Sequence, residues 1–390
     1  MQITRDDVKI LDIVNNSIDK DDNLIFFYCA EGLRDNIRAL YYYFTENEVF
    51  ADYQIVCCID NHKEYNKNAP GNVRFVGGIR GVYYYLKAKY CFYMDFPLPI
   101  KPANDQIIVN LGEGMPVKKC GAMLKENEEI DYMFFTSTIA SSEMFSELIQ
   151  NKYNCRHMQV LLCGQPKTDV LFGNNTPNDY RMVKYKVSML LDNAQYSRLF
   201  VWGPSYEDWS EFELISFIAN GELGILNDVL MQNDAFMIIK PNFRCYNVNI
   251  DNLEYQRIKF VFEDNLNEIN LTYYELLASC DAFITDCDNA YYDYILLNRP
   301  MAFIVDAYMR YNKFTGFVYE ELFDYLPGVK INKLGDFIEF INNVSMDVDS
   351  YSFDRVELNQ QFNEFRDGRN CERLCILIGM TEYDPSQLNF

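Results

Sequence analysis

The chain has 390 residues, 49% of them apolar, enough for two domains each with its own core and too much for a small disulfide-stapled module. Lys plus Arg number 35 against 57 Asp plus Glu, and the formal charge of −22 disfavours binding to a polyanion, so no nucleic acid is expected as a partner. The opening MQITRDDVKILDIV has no basic stretch leading into an apolar one, and no run reaches the ~18 apolar residues of a spanning helix, so a cytoplasmic protein is expected.

Short apolar runs alternate with amphipathic stretches, the rhythm of βα units around a parallel sheet. The first half reads as strands at Leu24–Cys29, Gln54–Ile59, Lys89–Met94, Gln106–Asn110, Tyr132–Thr136 and Gln159–Cys163. Helices are expected at Asp35–Thr45, Val82–Lys87 and Ser141–Asn151, with GGIRG at 77–81 as the turn into the second of these. The polar GNNTPND then breaks the pattern and marks a boundary between a domain over 1–178 and one over 179–353, which opens on a helix at Tyr180–Leu191. Further strands fall at Leu199–Gly203, Phe236–Lys240, Ile258–Phe262, Ala282–Thr285 and Ala302–Val305, with helices near Trp209–Asn220, Tyr273–Ser279 and Asn289–Leu297. Within 354–390 two helices broken at DGR are expected to pack back on the first domain. The twelve cysteines sit mostly in apolar runs such as QIVCCI and LIFFYC without a CxxC pair, as buried reduced thiols do.

Functional residues in open parallel sheets lie just past strand ends. After Gln106–Asn110 comes Leu111-Gly112-Glu113-Gly114-Met115-Pro116-Val117-Lys118-Lys119, where two glycines let the backbone approach a ligand and Glu113 is placed as a general base. A tight turn carrying solvated charges is the plainer reading. After Ala282–Thr285 come Asp286, Cys287, Asp288 and Asn289, which either cap the next helix or, through Asp286 and Asp288, hold a Mg²⁺. Lys240 and Arg244 flank Pro241-Asn242-Phe243 and offer positive charge to a phosphate, or are ordinary surface cations. His62, in a polar loop, and His157, at a helix end, are expected to be exposed and without a role, and no GxSxG or HExxH supports a hydrolase.

Taken in order, these strand exits resemble the CDP-glycerol glycerophosphotransferase family, which builds teichoic acids and some capsules. FFYCAEGLRDNIRALYYYF is similar to the family's opening strand, glycine turn and Asp-Asn helix start, and GVYYYLKAKYCFYM to the helix and strand before its active-site loop. GEGMPVKKCG falls on the family's His-Gly-Thr-Pro-Leu-Lys, LLCGQPKTDVLF on Gly-x-Pro-Arg-x-Asp, VWGPSYEDW on Ala-Pro-Thr, and IIKPNF on Lys-Pro-His-Pro. ITDCDNAYYDYILLNRPMAFIVDAYMRY falls on Ile-Thr-Asp-Tyr-Ser-Ser, and the tail FRDGRNCERLCILI is similar too. The resemblance implies an α/β, GT-B-like fold of two Rossmann-like domains facing across a cleft. It also implies a reaction in which an acceptor hydroxyl, deprotonated by a histidine, attacks the β-phosphorus of CDP-glycerol and releases CMP.

Several family positions differ here. Glu113 stands for the first histidine, Met115 for its threonine, Asn242 for the second histidine, Asp288 and Asn289 for the paired serines, Glu207 for an arginine, and Thr315 for the arginine of an Arg-Gly pair. The direction is from cationic or hydroxylic to anionic or amide. One extra negative charge ~4 Å from a phosphate costs about 4 kcal/mol at an effective dielectric of 20, some three orders of magnitude in affinity. The reading is therefore a transferase of surface-polymer synthesis with Glu113 and Asp286 as catalytic groups. Gly114, Lys118, Lys119, Ser205, Lys240, Asn242, Arg244, Asp288 and Asn289 would meet the donor. The donor is CDP-glycerol, CDP-ribitol or a nucleotide sugar, the acceptor a polymer or a lipid-linked primer at the inner face of the membrane. An inverting GT-B glycosyltransferase and a silent scaffold that kept the fold are the alternatives.

Overall fold

The computed structural model describes residues 5–30, 32–204, 222–241, 255–286, 288–305, 308, 312 and 315–382. The helix expected at Trp209–Asn220, and Ser205, Glu207, Asn242, Arg244 and Cys287, lie outside the described residues. The chain divides into two compact units, the first comprising residues up to Met115, Cys120–Pro177 and 364–382, the second Pro116–Lys119 and Asn178–Asn363.

The first unit contains, in chain order, α1 (Arg5–Ser17), β1 (Asp21–Tyr28), α2 (Asp35–Glu46), β2 (Gln54–Cys58), α3 (His62–Tyr65), β3 (Val73–Val76), α4 (Ile79–Lys87), β4 (Ala88–Tyr93), β5 (Ile107–Asn110), β6 (Ser137–Ala140), α5 (Glu143–Tyr153) and β7 (Val160–Leu162). Its seven strands pair in parallel in the order β3-β2-β1-β4-β5-β6-β7. Leu24–Phe27 of β1 form an unbroken buried run, because a strand covered on both faces has no solvent side to alternate with. On α2, Ile37, Leu40, Tyr41 and Phe44 recur at helical spacing and turn one buried stripe to the sheet. Phe44 stacks edge-on against Phe50 at 4.7 Å and packs with Phe27 and Phe92 at 6.0 and 5.7 Å, which takes up part of a chain that is 16% Phe, Trp and Tyr.

The second unit continues with α6 (Tyr180–Leu190), β8 (Arg198–Gly203), α7 (Glu222–Gln232), β9 (Ala235–Ile239), β10 (Ile258–Phe260), α8 (Glu263–Glu268), α9 (Tyr273–Ser279), β11 (Ala282–Thr285), α10 (Ala290–Tyr294), β12 (Met301–Ile304), β13 (Val329–Ile331), α11 (Leu334–Ser345) and α12 (Ser352–Phe362). Its parallel sheet runs β10-β9-β8-β11-β12-β13, the same winding as the first with the reversal of strand order between β8 and β11. Phe337, Phe340, Ile341 and Val344 form the buried stripe of α11, and Phe337 meets the fully buried Trp202 edge-on at 5.6 Å. Burying one such aromatic contributes about 1.5–3 kcal/mol.

The tail holds two helices separated around DGR, α12 and α13 (Asn370–Leu377), and α13 groups with the first unit. The buried carboxylate of Asp169 accepts from the Asn370 and Cys371 N–H groups at 2.8 and 2.9 Å and so caps α13 from a distant part of the chain.

The strand expected at Tyr132–Thr136 is instead coil, and the ladder begins at Ser137. Its aromatic residues pack as side chains, with Phe134 under the Lys101 ammonium at 4.2 Å and Phe135 against Tyr153 at 5.6 Å. β3, β13, α1, α3, α7, α8 and α11 carry no counterpart among the expected elements. α4 starts at Ile79, ahead of Val82, so Gly81 of GGIRG is helical; a Cβ there would lie 2.3 Å from Cys58 Sγ, so this glycine serves packing. His62 opens α3 and its Nδ1 lies 3.2 Å from the Asp60 carbonyl oxygen. Among the described residues no helix is long and apolar enough to cross a membrane.

Candidate active site

In an open parallel sheet, ligands bind beyond the carboxyl ends of the strands where strand order reverses. In the first unit that point lies between β1 and β4, and β5 leaves the sheet beside it. Gly112 and Gly114 take φ values of +58° and +138°, which side chains with a Cβ resist, and they present Glu113 at the apex of the turn. A buried polar framework holds this turn. Asn110 Oδ1 accepts from the N–H of Gly112 at 3.0 Å and of Asp95 at 3.1 Å, which joins the exits of β5 and β4. Asn36, fully buried in the first turn of α2, donates through Nδ2 to the carbonyls of Leu111 and Gly112, each at 3.0 Å, and to Gln165 Oε1 at 2.9 Å. Its Oδ1 accepts from the Lys167 N–H at 3.0 Å, and the buried Lys167 Nζ donates to the Glu113 carbonyl at 2.8 Å.

The Glu113 carboxylate is reached by Arg34 Nη2 at 3.3 Å, and its side chain keeps 48% of its exposure. Partial burial, then the nearby Asp95 charge, pushes its pKa up, against the pull of Arg34 and Lys152. Asp95 is itself held by Lys152 Nζ at 3.2 Å and by the Tyr153 hydroxyl. A carboxylate whose affinity for a proton is raised, on a turn fixed at backbone level, is suited to accept a proton from a hydroxyl.

In the second unit the reversal lies between β8 and β11, whose ends pair as Gly203 with Thr285. The buried Thr285 hydroxyl donates to the Gly203 carbonyl at 2.8 Å, and Asp286, 7% exposed, follows directly. Asp288 Oδ1 accepts from the Ala290 N–H at 2.7 Å, so the capping role is present. Tyr273, the first residue of α9, lies over the end of β8; a Cβ on Gly203 would sit 2.3 Å from its hydroxyl oxygen. Burial, then the charges of Asp288 and Asp286 among others, keeps this phenol protonated. Lys240, just past β9, places Nζ 4.8 Å from the centre of the Tyr273 ring and 3.0 Å from Glu263 Oε2. Among the described residues no group of three or more His, Cys, Asp or Glu is arranged to hold a metal ion.

Lys118 and Lys119 belong to this unit as well. The Lys119 N–H donates to the Gly316 carbonyl and the Val318 N–H to the Val117 carbonyl, both at 3.0 Å, with Lys118 and Phe317 bridged antiparallel between them. Gly316 takes φ +74°, so the glycine beside Thr315 meets a backbone requirement. Glu113 and Gly114 thus stand in the first unit, and Lys118, Lys119, Lys240, Asp286, Asp288 and Asn289 in the second. Sequence reasoning passed over Asn36, Lys167, Glu263 and Tyr273. The Asp-Asn helix start and the Pro-Lys of QPKTD were the available signals for the first two.

A family model described as CDP-glycerol:poly(glycerophosphate) glycerophosphotransferase matches residues 11–379. The chain is 25% identical over 326 residues to a teichoic acid poly(glycerol phosphate) polymerase of Bacillus spizizenii, spanning 77% of this chain and 78% of that protein. It is 22% identical over 385 residues to a teichoic acid glycerol-phosphate transferase of Staphylococcus aureus, spanning 91% and 92%. The structure of the wall teichoic acid polymerase TagF superposes with a TM-score of 0.75 at 17% identity, over 95% of this chain and 92% of that one. A UDP-GlcNAc 2-epimerase from Neisseria meningitidis superposes at 0.55 and 9% identity, over 93% and 100%. These likenesses make the fold GT-B-like.

Proposed function

The chain belongs to the CDP-glycerol:poly(glycerophosphate) glycerophosphotransferase family, and from that premise we propose that it moves glycerol phosphate from CDP-glycerol to a hydroxyl of a cell-surface polymer. The observation that carries the reading at residue level is Glu113, presented between two left-handed glycines and secured by Asn36 and Lys167, in the GEGMPVKKCG stretch that the sequence resemblance sets against the family's first histidine motif. The Glu113 carboxylate takes the proton of the acceptor hydroxyl. The acceptor oxygen forms a bond to the β-phosphorus, the bond from that phosphorus to the bridging oxygen breaks, and CMP leaves with the electron pair. Lys240, Lys118 and Lys119 supply positive charge to the diphosphate, which offsets part of the anionic drift at Asp288. Asp286 and Asp288 give two hard oxygen donors, and Mg²⁺ is commonly held by one or two carboxylates together with substrate phosphates and water. The polymer acceptor is met at the inner face of the membrane, by surface contact.

The test is CMP release from CDP-glycerol with a poly(glycerol phosphate) acceptor, with and without Mg²⁺, alongside CDP-ribitol and UDP-sugars. Wild type should release CMP, and Glu113→Gln should lose turnover by 10²-fold or more while still binding CDP-glycerol. Consumption of a UDP-sugar in place of CDP-glycerol, or full turnover by Glu113→Gln, would overturn the reading. Recovery in the soluble fraction of a low-salt lysate would overturn the membrane contact.

A further inference from the structure

Lys240 is the described cation at the exit of β9, and its charge is already engaged. Its ammonium lies 3.0 Å from Glu263 Oε2, with the Lys240 side chain 10% exposed and that of Glu263 38% exposed. The Tyr273 ring beneath it, 4.8 Å from Nζ to centroid, fixes where the charge sits. Tyr273 is itself wedged against Gly203, where even one added carbon would collide with its hydroxyl. The lysine is thus held on one side by a ring that cannot easily retreat and on the other by a carboxylate at the first position of α8. A charge-assisted pair of this kind is not neutral toward an incoming anion, because a phosphate oxygen and the carboxylate compete for the same N–H donors.

We propose that Glu263 sets donor affinity by competition: it holds the Lys240 ammonium in an ion pair that the diphosphate must displace. The proposal rests on the reading of Lys240 as a donor-phosphate contact. It makes Glu263 a positioning residue with a sign opposite to that of an ordinary structural contact. Removing its charge frees the lysine, and binding becomes tighter. A Glu263 that instead braced Lys240 for the phosphate would give the reverse, since its loss would let the lysine wander.

The experiment is calorimetric titration of the full chain with CDP-glycerol. Five proteins are compared: wild type, Glu263→Gln, Asp264→Asn, Lys240→Met, and the double variant Lys240→Met with Glu263→Gln. Asp264 is the exposed neighbour on the same helix, and its variant removes one negative charge without touching the pair. Glu263→Gln should lower Kd by roughly 3- to 10-fold, the upper range for a partly buried pair. Asp264→Asn should stay within about 2-fold, since a solvated charge is screened. Lys240→Met should raise Kd, and adding Glu263→Gln to it should change nothing further. Unchanged or weaker binding in Glu263→Gln, or equal tightening in the Lys240→Met background, would overturn the competition while leaving Lys240 as a donor contact. A Lys240→Met protein that binds CDP-glycerol as wild type does would overturn the assignment of Lys240, and the competition with it.

Discussion

Replacing Asn36 by alanine tests whether the catalytic turn is held as described. The side chain has two N–H hydrogens shared among the carbonyls of Leu111 and Gly112 and Gln165 Oε1, and one oxygen that accepts from the Lys167 N–H. Its loss leaves the Lys167 N–H and two backbone carbonyls short of partners in a site closed to water. At about 1 kcal/mol for each bond lost, and more for each buried group left unsatisfied, the cost is about 2–4 kcal/mol. For a unit of this size that lowers its thermal midpoint by roughly 4–16 °C. Turnover should fall further than stability alone requires. Glu113 is anchored through the backbone of this turn, and a displacement of ~1 Å at a reacting group can cost 10²-fold in rate. Differential scanning calorimetry and CMP release, measured well below the variant's midpoint, give the two readouts. An Asn36→Ala protein that melts within ~1 °C of wild type and releases CMP at the wild-type rate would refute the framework.

Asp169 is raised from 3.8 to about 6, chiefly by burial. The folded state therefore holds its proton more tightly than the unfolded chain, and this carboxyl's contribution to stability declines as pH rises between about 4 and 6. Asp169→Asn should remove that part of the decline from a series of melting curves, whatever its effect on the baseline. Gly203→Ala should cost about 1–3 kcal/mol in chemical denaturation, because the new carbon meets the Tyr273 oxygen at 2.3 Å, and Tyr273→Phe should recover part of the loss. Gly316→Ala should cost about 1 kcal/mol or more in the same assay, from its φ of +74° and not from crowding, since the nearest atom, Lys119 Cδ, would be 3.6 Å away.

The central strands were legible because a strand buried on both faces writes itself as an apolar run. β1, β2, β4, β8, β9, β11 and β12 all read this way, within one residue at each end except that β1 begins three residues ahead of its apolar run, at Asp21. β3 and β13, edge strands of four and three residues, are interrupted by Arg74 and Lys330 and lie in no longer apolar run, whereas β7 and β10, equally short edge strands, sit in the longer runs Gln159–Cys163 and Ile258–Phe262. Tyr132–Thr136 misled because an aromatic run has the same composition whether it joins a ladder or packs beside one. At the site, Glu113 could be found because left-handed turns demand glycine and glycine can be read. The contacts of Asn36, Lys167 and Glu263 could not be read, because their partners lie far along the chain; only the Asp-Asn helix start and the Pro-Lys of QPKTD mark the first two. Asn36 reaches Gln165 across 129 positions and Lys167 reaches Glu113 across 54, distances over which local pattern carries no information.

The four residues Pro116–Lys119 lie between β5 and the rest of the first unit in sequence, yet they pair with Gly316 and Val318 in the second. Expression of 178–363 by itself would leave that backbone edge without its partner, and a fragment ending at 177 would lack α13, which Asp169 caps. Neither half is then a natural fragment. Co-expression of a fragment ending at 177 with one that runs from 178 through α13 should restore what each lacks, so fragment complementation, more than isolated truncation, is the way to take this protein apart.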